Sequence, residues 1–492
     1  MPSAGRDAGG AGAVDRRSSL TQDLMNFPSV LVLVALVLSP LLIAAEYPLY
    51  HPKLANSKNG AHHDFPLGVL SATGRLSDGE REILIMDVGG NGPAEKGGLR
   101  AGDRIVSAGE RRARAYSKNT ETGVAGPQEE LAVALALACK ADPPVLVMEV
   151  RRENKLSTLR IALPGGVPGK GKLLAGIADH LLATQQESGR WQPGVGGDAD
   201  VYMSAFCALA LLAADDRKYL PAIRSAIKFI NQRSTSLIDP GNPRQGPKNW
   251  QAASTAILLA EYQLATGDGE FGAELETNCD LLASRVSPKG RMGHHFDIPY
   301  NGGGLVVINV QAHLAWALAQ KCGYRIDEEA WDRSMEEVRA SVDGKTGALG
   351  YSARATWSPD ISARTGAMAA ALMVADREPK LARQLAGALV AHHGRMRHAH
   401  AMSSIGLIYG FAGIRMGHPG GHAEVLRKWR PYVELSRNAA GSVAYFGGKR
   451  NIGGDEYLGL KPIGNSMVAL MLASEQGKLH MHGGRKKNWF GK

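Results

Sequence analysis

The sequence predicts two folded parts: a small domain of mixed strands and helices, followed by an all-helical toroid of the (α/α)6 type. Two features predict the toroid. A helix–loop–helix unit recurs roughly six times from about residue 172 onward, and short turns alternate with long loops. Each such unit buries its apolar face only against its neighbours, as in helical arrays. Short apolar runs separated by turns between residues 65 and 164 predict the small domain.

The long loops share a glycine that is followed within a few residues by an aromatic residue or a histidine. These units are Gly189–Trp191, Gly290–His294, Gly347–Tyr351, Gly394–His398 and Gly441–Tyr445. Alternate loops of an up-down helical array lie at opposite ends, so we expect all long loops on one face. Function usually lies on such loops rather than on tight turns.

The small domain contains a predicted strand at Ile83–Val88, a helix at Gln128–Lys140 and a hairpin formed by Val145–Val150 and Leu156–Leu163. The segment Gly92–Ile105 resembles a motif of bacterial PDZ domains. PDZ domains bind peptide C-termini as an added strand beside a carboxylate-binding loop.

The resemblance implies that Leu67, Gly68 and Val69 form this loop and that a peptide or protein C-terminus is a partner. Pro66 stands where the PDZ family usually has glycine, and proline has no N–H to offer a carboxylate. The alternative is a PDZ-like fold that only packs against the toroid.

The loop Gln185–Trp191 resembles the QxxxGxW repeat of squalene-hopene-cyclase-like toroids. Together with Arg364–Ala369 and His398–His400, the order of domains resembles an exported bacterial family of unknown function. That family combines a PDZ domain with a cyclase- or prenyltransferase-like toroid. The resemblance implies a fold and no activity. A hopene-type cyclase needs an aspartate-rich DxDD motif, and only Asp198–Asp200 comes near it.

The candidate catalytic residues come from the long loops. Two loops share Gly-Arg-Met-x-His, which places two histidines at matching positions, and histidine, tyrosine and aspartate can form an acid–base set. The catalytic candidates are His294, His398, Tyr300, Asp297 and Asp455. The ligand-binding candidates on the same face are Trp191, Arg291, Tyr351, Arg364 and His400. No cofactor is predicted, and the alternatives for the histidines are loop packing and metal binding.

Two functions remain open from the sequence. The first is a binding or scaffold protein with a peptide-binding module and a toroid that holds a ligand. The alternative is a carbohydrate-active enzyme, either a polysaccharide lyase or a glycoside hydrolase, with a saccharide at the toroid. A hydrolase needs two carboxylates about 5–10 Å apart, whereas a lyase needs a base and cations near the uronate.

Composition and the N-terminus set the remaining expectations. The net charge of +10 is diffuse and no nucleic-acid motif accompanies it, so nucleic acid is not an expected partner. Residues 27–45 are apolar and long enough to cross a bilayer, either as part of a signal peptide or as an anchor. We therefore expect an exported protein that is periplasmic or anchored to the membrane. The predicted division is a leader at 1–45, a linker at 46–64, a PDZ-like domain at 65–164, a linker at 165–171, the toroid at 172–478 and a basic tail at 479–492.

Overall fold

A computed structural model describes most of the chain after the predicted leader, and all of the described residues belong to one compact unit, Tyr47–Lys492. The described residues are 50, 62–109, 111–112, 115–116, 126–165, 170–191, 199–238, 246–357, 360–397, 404–438, 441–444, 460–485 and 487–491. The apolar run 27–45 lies outside them. None of the helices in these ranges is both long and apolar enough to span a membrane.

The N-terminal domain is an antiparallel sheet with one main helix. Its strands are β1 His62–Pro66, β2 Ala72–Ser77, β3 Ile83–Val88, β4 Arg104–Ala108, β5 Arg111–Arg112, β6 Val145–Arg152 and β7 Lys155–Ala162. They pair in the order β1-β2-β3-β4-β6-β7, with β5 on β4. The helices are α1 Pro93–Lys96 and α2 Pro127–Ala138, and α2 packs on β4, β5 and β6. The predicted strand at residues 83–88 and the closing hairpin are confirmed.

Twelve long helices in the described ranges form the barrel of the second domain, besides a four-residue helix at Pro299–Gly302. The outer helices are α3 Lys170–Thr184, α5 Leu220–Ser236, α7 Gly272–Ser284, α9 Glu328–Ala340, α11 Pro379–Ala391 and α13 Pro419–Ser436. The inner helices are α4 Ala199–Ala213, α6 Asn249–Thr266, α8 Val306–Lys321, α10 Ser362–Ala375, α12 Ser404–Gly417 and α14 Leu460–Ala473. Each inner helix packs on the next, and α14 packs back on α4, which closes the ring. The predicted antiparallel helical ring is confirmed as an (α/α)6 barrel.

The inner and outer helices differ in sequence because their surroundings differ. Residues 306–319 of α8 are all buried, as expected for a helix that is covered on every side. The outer helix α9 instead buries one stripe, which includes Trp331, Met335 and Val338. At the closest crossing, Gly366 of α10 lies against the backbone of α12 at Tyr409 and Gly410, and a Cβ at residue 366 would overlap that backbone.

The recurring glycine unit of the long loops is structural. Gly189, Gly290, Gly347 and Gly441 all have positive φ, so each makes a turn that other residues adopt with strain. Two residues after each glycine an apolar side chain enters the core. These side chains are Trp191, Met292, Leu349 and Val443, and all four are buried. The turns are tied to the inner helices by polar side chains, for example by Asn309, whose Nδ2 donates to the carbonyl of Gly290 at 2.7 Å.

The C-terminal segment, predicted to be a basic tail, packs on the barrel at the short-turn end. The carboxylate of Glu261 accepts hydrogen bonds from the backbone N–H groups of His480 and Met481, at 2.8 and 2.7 Å. Farther along, the indole of Trp489 donates to Asp215 at 2.6 Å. The predicted basic tail therefore packs on the barrel, because the carboxylates of Glu261 in α6 and of Asp215 just after α4 bind it.

The sheet domain packs on α13 of the barrel. Helix α2, strand β1 and the turn Gly68–Leu70 all contact α13. Gly68 has a φ of +59°, and a Cβ at this residue would lie 2.5 Å from the carbonyl oxygen of Glu434. Since α13 ends at Ser436, the turn lies against the C-terminal end of this helix.

Candidate functional site

All six inner helices begin at the end of the barrel that carries the long loops, and this end is called the long-loop face below. The loops of this face are joined to one another by backbone hydrogen bonds. The N–H of Leu305 donates to the carbonyl of Met292 at 2.8 Å, and the N–H of Val306 donates to that of Tyr351 at 3.2 Å. Consequently the loops that carry His294, Tyr300 and Tyr351 form one continuous surface.

His294 is exposed on this face and is paired with Trp250 at the start of α6. The indole Nε1 donates to His294 Nδ1 at 2.8 Å, and the two rings are stacked with centroids 6.1 Å apart. An indole N–H can only donate, so Nδ1 is the acceptor and the proton of the neutral imidazole lies on Nε2. Partial burial and the charge of Lys248 lower the pKa of His294. His294 therefore offers a hydrogen-bond donor at Nε2, and its basic nitrogen is already engaged.

Among the described tyrosine, tryptophan and phenylalanine side chains of this face, Tyr300 is the most exposed, with 60% of its surface accessible. Its φ of 59° and the φ of 54° at Asn301 are left-handed, and a non-glycine residue adopts this conformation at a cost of about 1–2 kcal/mol. Its ring packs edge-on against Tyr351 at 5.6 Å. Burial and the hydrogen bond between Tyr351 and Tyr300 raise the pKa of Tyr351. The Tyr351 phenol is therefore neutral near pH 7.

Arg364 lies beneath the tyrosine pair and is fully buried. Its guanidinium carbon is 5.5 Å from the centre of the Tyr351 ring, and its Nη1 donates to Asp360 across 3.4 Å. Burial lowers the pKa of Arg364. The Nη2 atom has no hydrogen-bond partner in the described residues. The predicted ligand-binding residues Tyr351 and Arg364 thus lie together with the predicted catalytic residue Tyr300.

Two residues that were predicted to bind a ligand, Trp191 and Arg291, instead make contacts that stabilise the fold. Trp191 has none of its surface accessible, and its indole donates to the carbonyl of Leu181 at 2.8 Å, so its assignment to the exposed face is wrong. Arg291 pairs with buried Glu337 at 2.9 Å and donates to the carbonyl of Gly302 at 2.6 Å. These contacts fix the turn that holds Tyr300.

The remaining predicted residues are distributed as follows. Asp297 is exposed in the same loop as His294 and Tyr300. His398, His400 and Asp455 lie outside the described residues, so their roles stay predictions. The described part of the chain contains no group of three or more His, Cys, Asp or Glu side chains arranged to hold a metal ion.

Several residues at this face were not found by sequence reasoning. Trp250 positions His294, and only its place at the start of an inner helix could have pointed to it. Trp357 is 51% exposed, and the guanidinium of Arg395 lies 5.1 Å from its ring centre. Arg285 is buried between the carbonyl of Pro247 and the ring of Phe296, and burial lowers its pKa to about 10.

Residues 67–69, the predicted carboxylate-binding loop of the PDZ-like domain, are less accessible than the exposed aromatic residues of the long-loop face. Leu67 and Val69 are buried, and Gly68 lies against the end of α13. The N–H of Leu67 donates to the carbonyl of Ala72 at 2.9 Å, which uses this donor inside the turn. These contacts do not support peptide binding at residues 67–69.

The architecture defines the protein as an (α/α)6-barrel protein with an N-terminal antiparallel sheet domain. Residues 172–483 match the family model described as a domain of unknown function, DUF6288. This match covers more than half of the chain, which belongs to the DUF6288 family. None of the curated proteins matches the chain.

Solved structures with a similar fold include enzymes of different kinds. The GH76A alpha-1,6-mannanase from Salegentibacter sp. HEL1_6 has 14% identity and a TM-score of 0.47, over 63% of this chain and 99% of that one. A variant of the type II terpene cyclase MstE from Scytonema has 12% identity and a TM-score of 0.40, over 62% and 96%. A possible GH105 member from Salmonella enterica serovar Paratyphi A has 14% identity and a TM-score of 0.42, over 62% and 92%. Similarity at this level supports no inference about activity.

Proposed function

We propose that this protein is a carbohydrate-active protein that binds a saccharide at the long-loop face of its barrel. The observation that carries the proposal is Tyr300, an exposed aromatic side chain held in left-handed backbone by the surrounding loops. Strained backbone persists where the structure around it over-determines it, and such positions cluster at binding and catalytic sites. An aromatic ring offers an apolar face to the C–H groups of a sugar and a hydroxyl to its polar groups.

The side chains around Tyr300 complete a surface suited to a saccharide. Tyr351 supports the ring from the side, Trp357 provides a second exposed aromatic surface, and His294 presents an N–H donor. Ligand sites commonly combine aromatic surfaces with a few placed polar groups. The charge of +10 on the whole chain is compatible with an acidic glycan.

Enzymatic turnover at this face is the further part of the proposal. The Nε2–H of His294 can donate a hydrogen bond to a leaving oxygen, and the phenol of Tyr300 can donate a proton to it. Since Nδ1 of His294 is held by Trp250, we assign His294 the role of donor rather than base. A lyase and a hydrolase both need such a donor, so the nature of the products decides between them.

The experiment is a binding survey of the full chain against neutral and acidic oligosaccharides, followed by calorimetry on each binder. We expect Tyr300→Ala to weaken binding about tenfold, the loss of about 1.4 kcal/mol of stacking. Leu156→Ala, which removes an exposed apolar side chain from the sheet domain, is the matched control and should bind normally. Equal affinity of the wild type and Tyr300→Ala for every binder would refute the proposed face.

Turnover is tested on the same binders by measuring unsaturated products and new reducing ends. Unsaturated products would identify a lyase, and reducing ends without unsaturation would identify a hydrolase. Binding with neither product would leave a saccharide-binding protein and reject the enzymatic part alone.

For the sheet domain we propose a PDZ-like fold with a packing role. Support comes from the sequence motif at residues 92–105 and from the antiparallel sheet with helix α2 beside it. The contact of Gly68 with α13 favours the alternative in which this fold packs against the barrel. Export and a periplasmic or membrane-anchored location, based on residues 27–45, remain proposals from the sequence.

A further inference from the structure

A cavity of about 190 Å³ lies where the ring of helices closes, and neither Tyr300 nor Tyr351 contributes to its lining. Outer helix α3 packs on α14 and α4, whereas outer helix α13 packs on α12 and α11. The cavity lies between α3 and α13, with α14 beneath it. Its apolar lining consists of Leu173, Ala423, Leu426, Val433 and Leu472.

The volume and lining suit a small apolar group. An engineered cavity of about 150 Å³ with an aliphatic and aromatic lining binds benzene. The present cavity is larger and also opens to solvent beside charged side chains, so it can hold an apolar chain whose polar end stays at the mouth.

The charged side chains at the mouth are Arg427, Arg430, Glu434 and Glu475. Both acids are already engaged: Glu434 accepts from Arg437 at 2.7 Å, and Glu475 has a partner as well. Arg430 reaches Glu434 only across 4.0 Å, and Arg427 interacts with Glu424 of the same helix through charge. The mouth therefore has cationic groups in excess.

We propose that this cavity binds an anionic amphiphile, with an acyl chain against the leucines and a carboxylate at Arg427 and Arg430. Guanidinium groups bind carboxylates through paired hydrogen bonds, and two exposed arginines one turn apart can reach the same head group. A chain of about eight carbons matches a cavity somewhat larger than one that holds benzene.

The test is calorimetric titration of the full chain with octanoate, octanol and octylammonium, each below its aggregation concentration. We expect octanoate to bind at least tenfold more tightly than octanol, and octylammonium to bind most weakly. The double variant Arg427→Gln with Arg430→Gln should reduce octanoate affinity to that of octanol. Lys428→Gln is the matched control, because it removes one positive charge from the same exposed helix outside the cavity.

A second variant tests the apolar part separately. Ala423 is exposed at the mouth, so Ala423→Trp should fill the cavity without destabilising the core. Its melting temperature should stay near that of the wild type, and binding of all three probes should be lost. The proposal is overturned if octanoate does not bind, if octanol binds as tightly as octanoate, if Lys428→Gln loses as much affinity as the double variant, or if a folded Ala423→Trp protein retains octanoate binding.

Discussion

The two ends of the helical barrel differ in what covers them. At the short-turn end, the chain seals its own barrel with residues 479–491, which are bound by Glu261 and Asp215. At the long-loop face, Tyr300 and Trp357 leave more than half of their surfaces exposed to solvent. Exposed aromatic side chains on a rigid frame are typical of binding surfaces. Under the proposed function, the closed end contributes stability and the exposed end binds the ligand.

The largest effect should come from the structural glycines that position the loops. Gly290 has a φ of +73°, and a Cβ there would overlap the carbonyl oxygen of Arg333 in α9. We expect Gly290→Ala to lower the free energy of unfolding by about 4 kcal/mol, since backbone strain and steric overlap combine. Denaturant titration measures the change.

The matched control for Gly290 is Gly344, a loop glycine with no heavy atom within 4 Å of an added Cβ. Gly344→Ala should change the free energy of unfolding by less than about 0.5 kcal/mol. Similar losses in the two variants would show that Gly290 is not a specific anchor of the long-loop face.

The next largest effect on stability should come from the contact between Glu261 and the C-terminal segment at the short-turn end. Glu261→Gln removes the charge that accepts two backbone N–H groups and places an amide N–H₂ toward one of them. We expect a loss of about 3 kcal/mol, because hydrogen bonds to charged groups each contribute about 1.5–3 kcal/mol. Thermal and denaturant unfolding measure this loss, and Glu276→Gln on the exposed side of α7 is the control.

If the Glu261→Gln protein proved as stable as the Glu276→Gln protein, the short-turn end would not be stabilised by the C-terminal segment. The C-terminal segment would then be a loosely attached tail, and proteases should remove it at the same rate from both proteins.

Sequence reasoning succeeded for the barrel because its signal is repeated. Each glycine turn adds the same evidence, and alternating loop lengths place the long loops on one face. It could not show where the C-terminal segment packs, because the partner of His480 lies 219 residues earlier on α6. No local pattern connects a single glutamate inside an apolar helix with a polar tail.

The candidate site was predictable in part for the same reason. Tyr300, Tyr351 and Arg364 could be placed on the long-loop face from the order of the loops. Trp191 was placed on the exposed face because an aromatic residue that recurs in the loops is typical of a binding surface. The residue at this position of the repeat is in fact buried in the core. The Trp250–His294 pair joins two different loops, so its geometry required the fold.

The pH dependence of stability should show whether the short-turn end of the barrel excludes water. His482 is fully buried in the C-terminal turn, and burial, with lesser contributions from His422 and Arg415, lowers its pKa to about 3. The unfolded chain binds this proton near pH 6.5 and the folded chain does not. The contribution of His482 to the free energy of unfolding is therefore complete above about pH 6.5. It falls as the pH decreases toward 3, by about 1.4 kcal/mol per pH unit.

Replacing His482 by asparagine keeps a polar side chain and removes the titration. We expect the His482→Asn protein to lose stability less steeply than the wild type between pH 6.5 and 4, in denaturant titrations at fixed ionic strength. Identical slopes would show that water reaches this histidine and that the end is not sealed.

The smallest effect has the opposite sign and bears most directly on the long-loop face. Tyr300→Gly relieves the left-handed strain, about 1–2 kcal/mol, and removes an edge-on contact with Tyr351 that contributes about 0.5–1.5 kcal/mol. We expect a net gain of about 0.5 kcal/mol in the free energy of unfolding, together with the loss of saccharide affinity expected for Tyr300→Ala. A gain in stability with a loss of binding would show that the loops hold Tyr300 in an unfavourable conformation for its contact with a ligand. A loss of stability with unchanged binding would instead make Tyr300 a packing residue, and the distinction between the two ends would rest on exposure alone.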